Sequence, residues 1–179
     1  CSAPAKEASN AQSAALASLR VFVPQFFGCS VHKGTQYIEL ADLTATLLAP
    51  CVMDLKLGRR PNKTCAIDAS AEHIRRRCVK TALQTRFGYR VCGMQVWDST
   101  KATFRRFDKA YGVRLTPGAM AQGEALKTFW GARGNCSARV QVIEHFLPPL
   151  RALLEWFKTQ TWFCFRGTSI LMVYEGDIT

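Results

Sequence analysis

The segment of residues 50–58, Pro-Cys-Val-Met-Asp-Leu-Lys-Leu-Gly, constrains the fold of this chain more than any other. It is an apolar run that Pro50 opens and Gly58 closes, and only a carboxylate and an amine interrupt it. Since side chains alternate along a strand, Asp54 and Lys56 are predicted on one face. The other face is predicted to hold Cys51, Met53, Leu55 and Leu57. Two interpretations stay open here, a plain ion pair and a functional pair kept close to a core.

Composition places the chain among ordinary globular proteins. Of its 179 residues, 48% are hydrophobic and 21% are charged, which argues against disorder. No segment approaches the roughly 18 apolar residues that cross a bilayer. The eight cysteines show no C-x-x-C spacing and the three histidines lie far apart, which argues against a disulfide scaffold and a zinc site. We therefore predict a reduced, intracellular protein, with buried thiols at Cys51, Cys78, Cys92 and Cys164.

Positive charge is concentrated in the middle of the chain. The net charge is +11, and the segment from Arg59 to Arg114 holds 14 Lys or Arg against 4 Asp or Glu, a local balance of about +10. A solvated charged face normally mixes both signs, and this segment hardly does. The block therefore predicts an anionic partner, which from charge alone is nucleic acid, an anionic membrane surface or a highly phosphorylated small molecule.

Hydrophobic periodicity and turn residues predict an α+β fold. Gly and Pro residues predict a break around residues 22–28, a loop over 58–67, and further loops at Gly112, Pro117 and Gly118. The aromatic residues of the last third are predicted in the core, namely Phe129, Trp130, Phe146, Trp156, Phe157, Trp162, Phe163 and Phe165. Helices are predicted over 5–20, 70–83, 122–130 and 140–159, the last one kinked or split at Pro148-Pro149, and strands over 37–40, 51–57, 89–97, 102–107 and 169–174.

The helix predicted from Ser70 carries a stripe of basic residues. At about 100° per residue, one stripe holds His73, Arg76, Arg77, Lys80 and Gln84. The opposite stripe, predicted to face the protein, holds Ala71, Ile74, Cys78 and Ala82. Cations at this spacing repel one another unless an anion lies against them, and Arg matches phosphate oxygens in a bidentate geometry. From the pattern alone, an ordinary basic surface helix and a ligand site are equally acceptable.

Four segments together resemble the inositol polyphosphate kinase family. Residues 50–58 match its P-x-x-x-D-x-K-x-G signature. Residues 68–72 and 90–96 are similar to segments of the inositol hexakisphosphate kinase branch, and residues 168–176 are similar to the family's S-S-L-L segment. These segments occur in the family's order, and the resemblance covers roughly residues 37 to 177. Membership of the multikinase branch is also possible, because a stripe of basic residues indicates a highly anionic substrate and does not indicate how many phosphate groups the substrate carries.

The resemblance implies a protein-kinase-like, two-lobed α+β architecture that is truncated at both ends. It implies a remnant of the N-terminal lobe and hinge at 1–44, and a C-terminal lobe at 45–179 with an inositol phosphate-binding segment at about 62–86. The family's phosphate-binding lysine would precede Cys1, and its Mg²⁺-binding I-D-F segment would follow Thr179. No metal ligand is therefore expected in these 179 residues, and the chain alone is expected to be a poor enzyme.

The resemblance implies an activity that depends on ATP and Mg²⁺ and transfers a phosphoryl group to an inositol polyphosphate. The implied acceptor is inositol hexakisphosphate, and the implied product is a diphosphoinositol. A monomer in the cytoplasm or nucleus, without a stable nucleic acid partner, is expected. The rival from another class is a non-catalytic basic module that binds nucleic acid or acidic lipid, in which a same-face Asp54 and Lys56 have no role.

The resemblance also assigns residues to the site. The catalytic pair is Asp54 and Lys56. Two positions depart from the family. His73 replaces the usual Lys, and Val113 replaces the usual Arg of the K-x-Y-G segment. Arg114, the next residue, offers partial compensation for the Arg that is missing at position 113. The implied nucleotide contacts are Ala41, Asp42, Leu43, Asp54 and Ser169, and the implied substrate contacts are Lys56, His73, Arg76, Arg77, Lys80 and Lys109.

Overall fold

The computed structural model describes residues 3–59, 70–131 and 136–177, and at positions 3–9, 73–77, 79–80, 136 and 138 it describes the backbone alone. The helices in these ranges are α1 (Ala3–Leu19), a 3-10 turn (Arg20–Phe22), α2 (Ala71–Phe87), α3 (Lys109–Arg114), α4 (Pro117–Ala121), α5 (Glu124–Trp130) and α6 (Cys136–Thr159). The strands are β1 (Phe26–His32), β2 (Thr35–Leu40), β3 (Pro50–Leu57), β4 (Tyr89–Asp98), β5 (Thr103–Phe107) and β6 (Ser169–Glu175). The chain divides into two compact units, residues 1–46 with 144–164 and residues 47–143 with 165–179.

The first unit contains an antiparallel hairpin of β1 and β2. Lys33 and Gly34 both have positive φ, as a two-residue hairpin turn requires. The predicted break around residues 22–28 is confirmed at residues 23–25, which lie between the 3-10 turn and β1, and is wrong at Gly28, which lies inside β1. Gly28 lies at a register shift of the β1–β2 ladder, so this glycine accommodates a bulge within a strand. Elsewhere in this unit, the indole nitrogen of Trp156 donates to the Ala15 carbonyl (3.2 Å) and to Ser18 Oγ (2.9 Å).

The second unit is built on a four-stranded antiparallel sheet in the order β5-β4-β3-β6. Strand β3 lies inside this sheet and pairs with β4 on one side and β6 on the other. One face of the sheet is closed by apolar side chains, which include Cys51, Met53, Leu55, Met94, Val96, Met172 and Tyr174. The Tyr174 hydroxyl donates to the Phe129 carbonyl of α5, so its polar atom is satisfied within the core.

Two short helices stand where loops were predicted. Asp108 caps α3 by accepting from the Tyr111 N–H (3.1 Å), and Thr116 caps α4 by accepting from the Ala119 N–H (3.1 Å). Pro117 occupies the first turn of α4, where its missing N–H costs nothing. Gly112 is needed because α3 packs closely on β4, and a Cβ there would collide with the Val91 carbonyl.

Three further expectations need correction. Helix α6 runs through Pro148 and Pro149 without interruption, so the predicted split is wrong. Of the eight aromatic residues predicted in the core, only Phe129 and Trp156 are buried; Trp162 and Phe165 are exposed, and the other four are half-buried. Cys78 and Cys164 are exposed while Cys51 and Cys92 are buried, so only the two thiols on the sheet are buried as predicted. Among the described residues, no helix combines the length and apolar character that crossing a membrane requires.

Candidate active site

Strand β3 separates its side chains as its alternating sequence predicts up to Leu55, whereas Leu57, predicted on the buried face, is half-buried. Cys51, Met53 and Leu55 are buried, and Asp54 and Lys56 are half-buried on the opposite face. Among the described residues no ion pair joins Asp54 to Lys56. Instead, Lys56 Nζ donates to the Gly167 carbonyl at 2.9 Å, in the turn that precedes β6. The plain ion-pair interpretation of these two residues is therefore not the arrangement in the structure.

Asp54 presents an unsatisfied acceptor. Its Oδ1 atom is buried and accepts no hydrogen bond from any described residue. Burying a carboxylate oxygen without a donor is costly, and most such atoms in folded proteins find a partner. A ligand hydroxyl or a cation fits this oxygen, since either would replace the donors that water supplies in the unfolded chain.

A cavity of about 700 Å³ opens beside Asp54, within the size range of small-molecule sites. Its floor is formed by β3 and β4, and one side is formed by β5 and α3. Gly93 lies opposite Asp54 in the β3–β4 ladder and, lacking a side chain, leaves the space beside the carboxylate open. The lining consists of Val52, Asp54, Gly93, Met94, Gln95, Arg106, Phe107, Asp108, Tyr111 and Arg114.

Helix α3 contributes two of the lining residues that belong to the K-x-Y-G segment and its continuation. Burial is the largest influence on the Tyr111 hydroxyl and raises its pKa above the ordinary value of 10.0. Arg114, the predicted compensation for Val113, lines the cavity. Lys109 begins α3 and is not among the lining residues of this cavity.

The predicted orientation of α2 is wrong for the residues whose side chains are described. Gln84, assigned to the outward basic stripe, is only 2% exposed, whereas Ala71, Cys78 and Ala82 are exposed. The Gln84 amide donates to the carbonyls of Leu57 (3.3 Å) and Gly58 (3.0 Å) at the end of β3. These hydrogen bonds explain the burial of a polar side chain, which a count of apolar residues could not anticipate.

The side chains of His73, Arg76, Arg77 and Lys80 lie outside the described residues, so the stripe stays a prediction from helical spacing. Gln84 also accepts a hydrogen bond from Arg90 Nε (3.4 Å). Arg90 lies opposite Lys56 in the β3–β4 ladder. The last turn of α2 is thereby held at the end of the strand that carries the catalytic candidates.

The predicted nucleotide contacts fall in both units. Ser169 lies opposite Lys56 in the β3–β6 ladder, so the second unit brings Asp54, Lys56 and Ser169 together on neighbouring strands. In the first unit, the Ala41 N–H donates to the Gln25 carbonyl (2.8 Å). Also in that unit, the 41–43 segment is shaped by Asp42, which accepts from the side-chain hydroxyl (2.7 Å) and backbone N–H (2.8 Å) of Thr44. These hydrogen bonds, the hydroxyl first, hold the pKa of Asp42 below its ordinary value.

Sequence reasoning missed several residues of the cavity. Gln95, Arg106 and Asp108 were not assigned to the site, although Gln95 belongs to a segment that carried the family resemblance. The signal that could have found Arg106 is the pairing of β4 with β5, which places Arg106 opposite Gln95. Within the described ranges, no group of three or more His, Cys, Asp or Glu side chains is placed to hold a metal ion.

Comparisons with known proteins give the class of this protein and then its family. A solved inositol phosphate multikinase from S. cerevisiae, in complex with ADP and Mn²⁺, superimposes with a TM-score of 0.72 at 21% identity over 89% of this chain and 67% of that one. A second solved inositol phosphate multikinase gives a TM-score of 0.57 at 26% identity, over 89% of this chain and 72% of that one. The fold is therefore the α+β fold of inositol phosphate kinases, as the sequence predicted.

The family follows from the sequence comparisons. The family model for inositol polyphosphate kinase matches residues 37–179. Mouse inositol polyphosphate multikinase is 30% identical over 95% of this chain and 42% of its own length. Human inositol hexakisphosphate kinase 3 is 34% identical over 82% of this chain and 34% of its own length. The chain belongs to the inositol polyphosphate kinase family, and it spans less than half the length of these relatives.

Proposed function

We propose that this chain forms part of an ATP-dependent kinase that transfers the γ-phosphoryl group to an inositol polyphosphate, with inositol hexakisphosphate as the acceptor. The observation that carries the proposal is the pair on β3. Asp54 lines a cavity of small-molecule size and offers a buried acceptor atom that has no partner among the described residues, and Lys56 lies on the same face of the strand. ATP with a divalent cation would supply the phosphoryl group, and the residues of this chain would bind and orient the reactants.

The proposed roles follow from the chemistry of the two side chains. The Asp54 carboxylate accepts a hydrogen bond from a hydroxyl, which orients either the nucleotide sugar or the acceptor. Lys56 uses one of its three N–H donors on the Gly167 carbonyl, which fixes the ammonium and leaves two donors for phosphate oxygens. A compact, fixed ammonium stabilises the charge that spreads over the phosphoryl oxygens in the transition state.

The remaining contacts are proposed from the family pattern. Backbone groups of residues 41–43 would bind the adenine, and Ser169 would lie near the nucleotide phosphates. The substrate phosphates would be held by His73, Arg76, Arg77, Lys80 and Lys109, together with Lys56. Within this assignment, residues 1–44 belong to the N-terminal lobe and hinge, and residues 45–179 belong to the C-terminal lobe.

Phosphoryl transfer from labelled ATP tests the proposal. The complete product of the gene is used, because this chain spans less than half the length of the mouse multikinase and of the human hexakisphosphate kinase 3. Inositol hexakisphosphate, lower inositol phosphates and unphosphorylated inositol are compared as acceptors. We expect transfer to the hexakisphosphate, no transfer to inositol, and a loss of about a hundredfold or more in an Asp54→Asn variant that unfolds like the wild type.

The same assay distinguishes the alternatives. A preference for lower inositol phosphates would identify a multikinase, a choice that the comparison with the mouse enzyme leaves open. The kinase proposal fails if no inositol phosphate accepts phosphate. Binding of single-stranded oligonucleotides or anionic vesicles that Asp54→Asn leaves unchanged would then identify a non-catalytic basic module.

A further inference from the structure

Arg106 of β5 lies at the wall of the Asp54 cavity, and a hydrogen bond orients its guanidinium group. Its Nε donates to Gln95 Oε1 at 2.9 Å, and the amide of Gln95 in turn donates to the Pro50 carbonyl at 3.1 Å. Val52, Gln95 and Arg106 are successive partners across β3, β4 and β5, so the Gln95 and Arg106 side chains lie on the same face of the sheet. The guanidinium is therefore oriented before any ligand arrives, which reduces the ordering that binding would require.

The terminal nitrogens of this guanidinium are available. In the part of the chain that the structure describes, Arg106 uses only its Nε in a hydrogen bond, and no carboxylate pairs with Arg106 or Arg114. Asp108 lies in the same lining, but its carboxylate accepts from the Tyr111 N–H and caps α3. An arginine whose Nε is occupied still presents Nη1 and Nη2, which match two oxygens of one phosphate group.

We propose that Arg106, with Arg114 beside it in the lining, forms a phosphate-binding subsite of the Asp54 cavity. The inference deepens the proposed function and rests on it, because it names a contact for a phosphate group of either the inositol polyphosphate or the nucleotide. The unpartnered Oδ1 of Asp54 in the same lining supports the view that a ligand with both hydroxyl and phosphate groups occupies this space.

The neighbouring arginine offers a matched control. Arg105 is the adjacent residue of the same strand, also exposed, and each of the two guanidinium groups lies over a phenylalanine ring. Arg105 lines a different cavity, with Gln122, Glu124 and Lys127 among its neighbours. Because the chain carries a net charge of +11, any polyanion is attracted to it, and the Arg105 variant measures how much affinity one lost charge removes by itself.

The experiment measures binding of inositol hexakisphosphate and, separately, of ATP by calorimetry to the complete product of the gene. Arg106→Gln is expected to lower the affinity for one of these ligands about tenfold to a hundredfold, the effect of losing a charge-assisted hydrogen bond. Arg105→Gln is expected to change it less than about twofold. Arg106→Lys, which keeps the charge and loses the planar fork, should give an intermediate affinity.

The two ligands identify the source of the phosphate group. Selective loss of hexakisphosphate binding assigns the subsite to the acceptor, and selective loss of ATP binding assigns it to the nucleotide. If the wild type binds both ligands and Arg106→Gln binds them no more weakly than Arg105→Gln, the subsite is wrong while the kinase proposal stands. If the wild type binds neither ligand, the kinase proposal fails and the subsite fails with it.

Discussion

The two faces of strand β3 show how one short segment serves two purposes. On one face, Cys51 and Met53 are completely buried, and they pack with residues of β4 and β6. On the other face, Asp54 and Lys56 remain half-buried, and one carboxylate oxygen has no partner among the described residues. The first face buries apolar side chains, as a stable core requires. The second face keeps a buried polar atom without a partner among the described residues, at the place where a ligand is expected.

This difference teaches that the apolar face supports the polar one. A buried, unpartnered oxygen costs free energy, so it persists only where neighbouring contacts hold the strand in place. The ladder with β4 and β6, the apolar face and the Gln84 hydrogen bonds at the end of β3 provide those contacts. Substitutions on the apolar face should therefore act mainly on stability, and substitutions on the polar face should act mainly on activity.

Met53→Ala tests the apolar face and should give the largest effect. Met53 is fully buried in the sheet, so its truncation should lower the free energy of unfolding by about 2–5 kcal/mol, through lost burial and the cavity that remains. Chemical denaturation measures the change, and Val52→Ala on the other face is the control. Ligand affinity should be retained under conditions where the variant stays folded. An equal loss of stability in both variants would contradict the division between the faces.

Lys56→Ala tests the polar face. Turnover in the complete product of the gene should fall by about a hundredfold or more, because a preorganised charge on the transferred phosphoryl group is lost. Stability should change by less than about 1.5 kcal/mol, since the hydrogen bond to the Gly167 carbonyl is half-exposed and water can replace the donor. Lys56→Arg should not restore turnover, because a planar guanidinium does not replace a compact ammonium. If Lys56→Ala transfers phosphate at the wild-type rate in a single-turnover assay, the catalytic role is wrong and the Asp54 and Lys56 pair has a structural role alone.

The strands of the second unit could be predicted because their signal is local. Alternation in β3 and the aromatic and β-branched content of β4 indicate strands without knowledge of their partners. Strand β1 was missed because Gly28 was interpreted as a break, whereas it lies at a bulge. Helices α3 and α4 were missed because their starts depend on Asp108 and Thr116 as caps, and a run of five or six residues has no usable helical period.

The site was predictable only in part for a related reason. Asp54 and Lys56 belong to one strand, so their spacing alone places them together. Arg106 reaches the cavity through the pairing of β4 with β5, which depends on register and cannot be obtained from either strand separately. At Gln84 the predicted orientation of α2 was wrong, because this side chain is buried by hydrogen bonds to backbone carbonyls rather than by apolar contacts.

A substitution of Glu175, at the end of β6, is expected to have a smaller effect on stability than Met53→Ala or Lys56→Ala. Glu175 belongs to neither face of β3, but it binds the segment that leads into β3. Its carboxylate accepts from the N–H groups of Leu48 (2.7 Å), Ala49 (2.9 Å) and Asp177 (2.9 Å). Desolvation acts to raise the pKa of Glu175, but these backbone hydrogen bonds outweigh it, so the pKa lies below its ordinary value of 4.5.

A carboxylate whose pKa is lower in the folded protein than in the unfolded chain stabilises the fold at pH values above its unfolded pKa. This contribution is lost as the pH falls through the folded pKa. Glu175→Gln should therefore lower the free energy of unfolding by less than about 1 kcal/mol near neutral pH, because solvent screens a carboxylate at this position. The difference from wild type should shrink as the pH falls below 4.5. Denaturation of both proteins across this range measures it, with Glu39→Gln on the exposed β2 as the control. If the difference in the free energy of unfolding is the same at acid and neutral pH, the charge of the carboxylate does not stabilise the segment before β3. The packing of the side chain would then be enough to position the strand.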